Sequence, residues 1–216
     1  MKQHKMFVRP LLLLLTMILL HAGLCQAQAA PLEAALEQRL QAAAHAVHSL
    51  QSRFVQYKYL SMFSETLVSK GRFYFQHPDR LRWEMTEPVA SGFVLDGPSG
   101  RRWHEHVVTS EPFELEQDPA MRIVANQLLA WARSDLNWLK RHYLIEVTQS
   151  QPVCLRLTPL EEGAARFLDH LEIVFSADDR YVAAVTLYEG DGDHTEIRFE
   201  ETRVNPDLST ALFQEP

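Results

Sequence analysis

Gly71-Arg72-Phe73-Tyr74-Phe75-Gln76-His77-Pro78-Asp79-Arg80-Leu81-Arg82-Trp83-Glu84-Met85-Thr86-Glu87-Pro88, with Asp96-Gly97 shortly after it, is the stretch that decides the fold. It reads as two β-strands around a Pro-Asp turn. Side chains alternate faces along a strand, so Phe73, Phe75 and His77 share one face, and Leu81, Trp83 and Met85 share one face of the next strand. Arg80, Arg82 and Glu84 point the other way. A sheet this aromatic on one side must cover that face with a core, a partner or an apolar ligand.

The residues ahead of it begin with a different pattern. Lys2, Lys5 and Arg9 precede an apolar run from Leu11 to Leu20 and a small-x-small site at Ala27-Gln28-Ala29. This is the pattern of a secretory signal peptide over residues 1–29, cleaved near Ala29, and it is too short for a membrane span. Cys25 follows Leu24, where a lipid-attachment signal needs a small residue. Residues 30–216 then form one exported domain. The formal charge of −7 becomes −10 once those three cations, and no acid, are removed. That balance argues against nucleic acid and against charge-driven binding to anionic membrane. After cleavage only Cys154 remains, so no internal disulfide can form.

In the exported part, Leu32, Leu36, Leu40, Ala43, Val47 and Leu50 recur every three or four residues, which predicts an amphipathic helix over 31–50. His45 and His48 stand at metal-compatible spacing, but neither a carboxylate nor a third imidazole completes a set nearby. From Ser52 the period changes to two. Strands are expected over 54–60, 66–76, 80–85, 91–95 and 102–108, joined by short turns as a meander. His104 and His106 share a face in the last of these and read as half-exposed polar residues. Asp118-Pro119 then signals a helix start, and Met121, Ile123, Val124, Leu128, Leu129 and Trp131 give it an apolar stripe. A shorter helix is expected over 135–141. Five more strands follow, at 143–147, 153–157, 168–175, 181–188 and 195–199, with an irregular tail. The fold class is α+β, mostly β: one large curved antiparallel sheet with a few helices on one side.

The apolar face collects Phe54, Phe73, Phe75, Trp83, Met85, Phe93, Phe175 and Tyr188. Few helices are available to cover it. Either it closes over a filled core, or it encloses a cavity suited to acyl chains, whose burial is worth about 0.8 kcal/mol per CH₂. Gly97-Pro98-Ser99-Gly100 lacks the spacing of a nucleophile elbow, and the chain has neither zinc-type Cys/His spacing nor a phosphate-binding glycine loop. Asp191 and Asp193 read as a solvated hairpin tip.

Phe54-x-Gln56, then Gly71-x-x-x-Phe75-x-x-Pro78-x-x-x-Arg82-Trp83-x-x-x-x-Pro88, then Asp96-Gly97 and Trp103, resemble the LolA family of periplasmic outer-membrane lipoprotein carriers. Ile197-x-Phe199, Asn205-x-x-Leu208 and Phe213 fit its weaker C-terminal signature. The resemblance runs from about Leu32 to Pro216. It implies an incomplete, unclosed antiparallel β-barrel with a helical lid, and a carrier rather than an enzyme. It requires neither cofactor nor metal. The implied cavity wall is Phe73, Phe75, Leu81, Trp83, Met85 and Phe93; the implied lid carries Leu36, Leu40, Ile123, Leu128, Leu129 and Trp131. The cargo would be a lipoprotein or lipid-like molecule, received by a monomer from an inner-membrane transporter and passed to an outer-membrane receptor. Family carriers usually have an Arg before the strand-ending Pro, bonding the lid shut. His77 stands there instead, and an imidazole offers fewer donors, so the latch is expected to be weaker or pH-dependent. The stretch from Leu187 to Phe199 is closer to divergent relatives with another lipid-like cargo. The rival readings are an envelope enzyme acting on an acylated substrate and an envelope scaffold that binds no lipid.

Overall fold

The computed structural model describes residues 30–105 and 109–214; the signal-peptide reading and His106 fall outside them. The strands are β1 (Ala30–Pro31), β2 (Ser49–Tyr59), β3 (Leu67–Gln76), β4 (Arg80–Glu87), β5 (Ser91–Asp96), β6 (Ser99–His104) and β7 (Glu111–Glu114), then β8 (Tyr143–Ser150), β9 (Val153–Pro159), β10 (Leu168–Phe175), β11 (Val182–Glu189) and β12 (His194–Val204). The helices are α1 (Ala34–His45), α2 (Pro119–Ala132), α3 (Leu136–His142) and the single turn α4 (Glu162–Ala165). A 3₁₀ turn, Thr210–Phe213, closes the chain.

All twelve strands lie in one antiparallel sheet, in the order β1-β8-β9-β10-β11-β12-β2-β3-β4-β5-β6-β7. Two meanders, β2 to β7 and β8 to β12, are joined side by side by the long β12–β2 pairing. Strands β1 and β7 are left as edges that do not pair with each other, so the curled sheet stays unclosed.

The curl has a residue-level cause. Phe54 pairs with Gly71 and Phe113 with Gly100 on the inner face, and Trp103 with Gly92 on the outer face. In each pair the aromatic ring lies in the space a glycine side chain would fill. A Cβ on Gly71 would overlap the Glu84 carbonyl oxygen and the Phe54 ring. Glycines covered by a cross-strand aromatic are a known device for bending a sheet without leaving a void.

The parity read from the sequence places the inner face correctly for Phe73, Phe75, Leu81 and Phe93, all buried, and for the half-buried Trp83 and Met85 packed against the core. Tyr188 departs from it. It lies on the outer face, stacked between His170 and His194, because β11 turns Val185 and Leu187 inward. The outer face also carries a second apolar layer. Phe213 and Leu208 are buried with Val94 there, and Arg82, 9% exposed, lies over Trp103 and donates to the Leu212 carbonyl at 3.2 Å.

Several boundaries differ from expectation. The first helix is shorter, because Ser49 and Leu50 already pair with Gln76 and Phe75 in β2, and Pro31 pairs with Glu146 rather than opening the helix. The strand expected over 102–108 begins at Ser99, and β7 follows it, anchored by buried Phe113. In β7 Pro112 stands on an edge strand, where a missing N–H costs little. The turn expected near Glu162-Gly163 contains α4. In α2 and α3, by contrast, Asp118 and Asp135 accept N–H bonds from Met121 and Trp138 as N-caps should.

Gly71→Ala tests the curl. Overpacking a filled site usually costs 1–3 kcal/mol, and here backbone as well as side chain must shift, so a loss of roughly 3 kcal/mol is expected in urea denaturation. A change near zero would show that the sheet bends without the Phe54–Gly71 overlap.

Candidate functional site

The inner face is organised around four rings. Phe54 stacks on Trp83 at 4.0 Å between centroids, Phe73 meets Phe199 at 5.5 Å and Trp83 at 6.0 Å, and Trp83 meets Phe199 edge-on at 6.3 Å. Rings at these distances and tilts gain more than their buried area alone provides. Helix α2 lies over this cluster. Its Leu128, Leu129 and Trp131 are buried, as is Leu40 of α1. Leu36 is half-buried against the core, whereas Ile123 is 70% exposed and points away from the sheet.

Between lid and sheet there is almost no space. Leu50, Phe73 and Phe199 on one side and Leu128 and Trp131 on the other leave a cavity of about 20 Å³. A water needs roughly 10–15 Å³ measured this way, so one water fits and an acyl chain does not. The side chains of α2 occupy the volume beneath it. The seam is polar in places and poorly satisfied. Ser52 and Thr202 hydroxyls bond each other at 2.9 Å beside the cavity, but the Trp131 indole nitrogen and Gln127 Nε2 are buried without partners. Buried donors are rarely left unpaired.

The lid is fastened at its rim. Arg133, just past α2, donates from Nε to the Pro78 carbonyl at 2.6 Å. Asp118 at the other end accepts from Arg102 at 3.0 Å. Tyr143 at the start of β8 donates its hydroxyl to Gln127 Oε1 at 2.6 Å. Helix α1 is tied by Arg39 to Asp179 at 2.8 Å and by Glu37 to Lys140 of α3.

His77 sits in the β3–β4 turn next to Pro78. Only its backbone N–H is used, donating to the His48 carbonyl at 2.8 Å; its imidazole bonds to no described residue. The bond expected from position 77 to the lid therefore runs the other way in this structure, from an arginine of the lid to the turn. An Arg ending an apolar helical stripe is common near C-termini, so nothing in the sequence distinguished Arg133. Phe199 and Tyr181 were likewise missed as lining residues.

The carboxylates of Glu189, Asp191 and Asp193 lie within 4.8 Å of one another at the β11–β12 tip. Asp193 accepts the Ser61 N–H at 2.7 Å, which holds its carboxyl below the usual range, and Asp191 accepts the Asp193 N–H at 3.1 Å. These hydrogen bonds shape the hairpin.

Burial, with the negative charge of Glu161 nearby, pushes the Tyr143 phenol up to about 12. An unfolded tyrosine ionises near 10, so the neutral phenol stabilises the closed fold fully below about 10, and that contribution is lost as pH rises through about 12. Tyr143→Phe is expected to remove the last-ionising phenol from an ultraviolet titration. Survival of an ionisation near 12 would reassign it.

Residues 45–215 match the LolA family, described as outer membrane lipoprotein carrier protein LolA. A protein of Methylococcus capsulatus named outer-membrane lipoprotein carrier protein is 27% identical over 196 residues, covering 88% of each chain. One of the same name from Alkalilimnicola ehrlichii is 28% identical over 174 residues, covering 78% of this chain and 73% of its own. Among solved structures, an uncharacterized conserved protein of Thermus thermophilus superposes with a TM-score of 0.53 at 8% identity, over 84% of this chain and 92% of the other. The Pseudomonas aeruginosa MucA/MucB complex gives 0.50 at 15% identity, over 84% of this chain and 60% of the other. These two likenesses concern the fold alone. With the unclosed barrel, the aromatic inner face and a match over most of its length, the chain belongs to the LolA family.

Proposed function

We propose that this protein is a periplasmic carrier that takes the acyl or other apolar chains of a lipoprotein or lipid-like cargo beneath α2. The observation that carries the reading is the seam itself: an amphipathic helix over an aromatic concave face, with buried donors unpaired and its fastenings at the rim. The names of the Methylococcus and Alkalilimnicola relatives support a lipoprotein as cargo.

The energetics suit a reversible exchange. Lifting α2 uncovers Leu128, Leu129 and Trp131, at roughly 1.5–3 kcal/mol each. An acyl chain of about fifteen methylenes gains about 12 kcal/mol on burial, at about 0.8 kcal/mol per CH₂. With the three rim hydrogen bonds at about 1 kcal/mol each added to the lid's side, the two terms are of similar size, so cargo can enter and leave without a large trap. No nucleophile, acid–base pair or metal is required.

In this reading Phe73, Phe75, Leu81, Trp83, Met85 and Phe93 form the wall, α1 and α2 the lid, and Arg133 rather than His77 the latch. Residues 30–216 act as one domain and as a monomer after export, with an inner-membrane transporter as donor and an outer-membrane receptor as acceptor.

The test is organic extraction and mass spectrometry of protein purified from the periplasm, paired with uptake of an apolar fluorescent probe. Acylated molecules should co-purify and the probe should be taken up. Met85→Glu, at a half-buried wall position outside the ring cluster, should abolish uptake while the circular dichroism spectrum is kept. If nothing apolar co-purifies and no probe enters, the filled interior is an ordinary core and the carrier reading fails.

A further inference from the structure

A second concavity lies beside the latch. The C-terminal end of α1, the β3–β4 turn and the α2–α3 junction enclose a groove of about 440 Å³. His45 and His48 come from the first, His77 from the second, and Arg133, Ser134 and Asp135 from the third. Sequence spacing offered only the His45/His48 pair; the fold adds a third imidazole, a guanidinium and a hydroxyl.

The donors of this groove are available. Arg133 uses Nε on Pro78 and forms no ion pair among the described residues, so both terminal nitrogens are open. None of the three imidazoles hydrogen-bonds a described residue. Ser134 is 3% exposed, and its Oγ has no partner. A hydroxyl this deeply buried is nearly always paired. The one acid, Asp135, already accepts the Trp138 N–H at 2.9 Å. Beneath these polar groups the groove wall includes Val47 and Leu136, both part of the core.

A cation fits this set poorly. Among the described residues, the one group of three or more such side chains whose ligand atoms come within chelating distance of one another is Glu189, Asp191 and Asp193, away from this groove. A tetrahedral oxyanion fits better, since it presents several acceptor oxygens to donors spread around a wider space. Guanidinium groups recognise phosphate through two parallel N–H bonds.

We propose that this groove binds a phosphate group, as a free phosphate or as the headgroup of a glycerophospholipid. The apolar wall beside the donors suits an amphiphile with an anionic head. A bound phosphate would engage the terminal nitrogens of the same arginine whose Nε closes the lid on Pro78. The site does not depend on the carrier reading: phosphate can bind here whether or not acyl chains enter beneath α2.

Histidine-ring NMR of the purified protein tests this directly. Inorganic phosphate, glycerol 3-phosphate and dihexanoyl-phosphatidylglycerol are titrated in turn, with dihexanoylglycerol as the uncharged control. Saturable shifts are expected at His45, His48 and His77, and at neither His142 nor His170. Arg133→Gln, and separately the double variant His45→Ala/His48→Ala at exposed positions, should weaken binding by about tenfold. Binding of the phospholipid alone identifies a headgroup site, binding of inorganic phosphate alone a small-anion site, and binding of both a shared phosphate site; each supports the proposal. It is overturned if no phosphate compound saturates these rings, if dihexanoylglycerol shifts them equally, if both variants bind as the parent does, or if zinc saturates them and phosphate does not.

Discussion

Phe54 reaches Trp83 by passing over a strand that lies between them. It can do so because position 71 of β3 has no side chain, so the ring from β2 settles on Gly71 and meets the ring from β4 at 4.0 Å. That contact draws three strands into a tight curve, and the Phe113–Gly100 pair on the same face extends the curve toward the β7 edge. A sheet curled this strongly gathers its aromatic residues on the concave side. The concave side cannot be left to water, and α2 is the element that covers the ring cluster.

The cover that α2 provides is incompletely paired. The lid fills the space with Leu128 and Trp131, but leaves the Trp131 indole nitrogen and the Gln127 amide nitrogen without partners. Hydrogen bonds at the rim, from Arg133, Arg102 and Tyr143, hold it down. Contacts of this kind are each worth about 1 kcal/mol net. The arginine at the latch also borders the three-histidine groove, so closure and the groove share one side chain.

Much of this was legible in the sequence where one physical signal dominated. Period-two alternation gave the faces of Phe73, Phe75, Leu81 and Phe93, and capping chemistry gave the starts of α2 and α3 at Asp118 and Asp135. The signal was ambiguous where two periods overlap. Val47 and Leu50 satisfy the helical stripe, yet both are buried beyond the end of α1 and Leu50 belongs to β2. Tyr188 was assigned inward on aromatic character, but strand parity in β11 puts it outside with His170 and His194. The latch was illegible for another reason. Whether position 77 or position 133 supplies the bond depends on how a turn and a helix end meet across 55 residues of chain, and local pattern carries no information about that.

In the proposed function α2 moves off the aromatic face when an apolar chain binds. Spin labels at exposed Asn126 of α2 and exposed Glu200 of β12 would report it by double electron–electron resonance. A single short distance is expected in the empty protein and a longer one at saturating acylated lipid. An unchanged distance with lipid bound would contradict it.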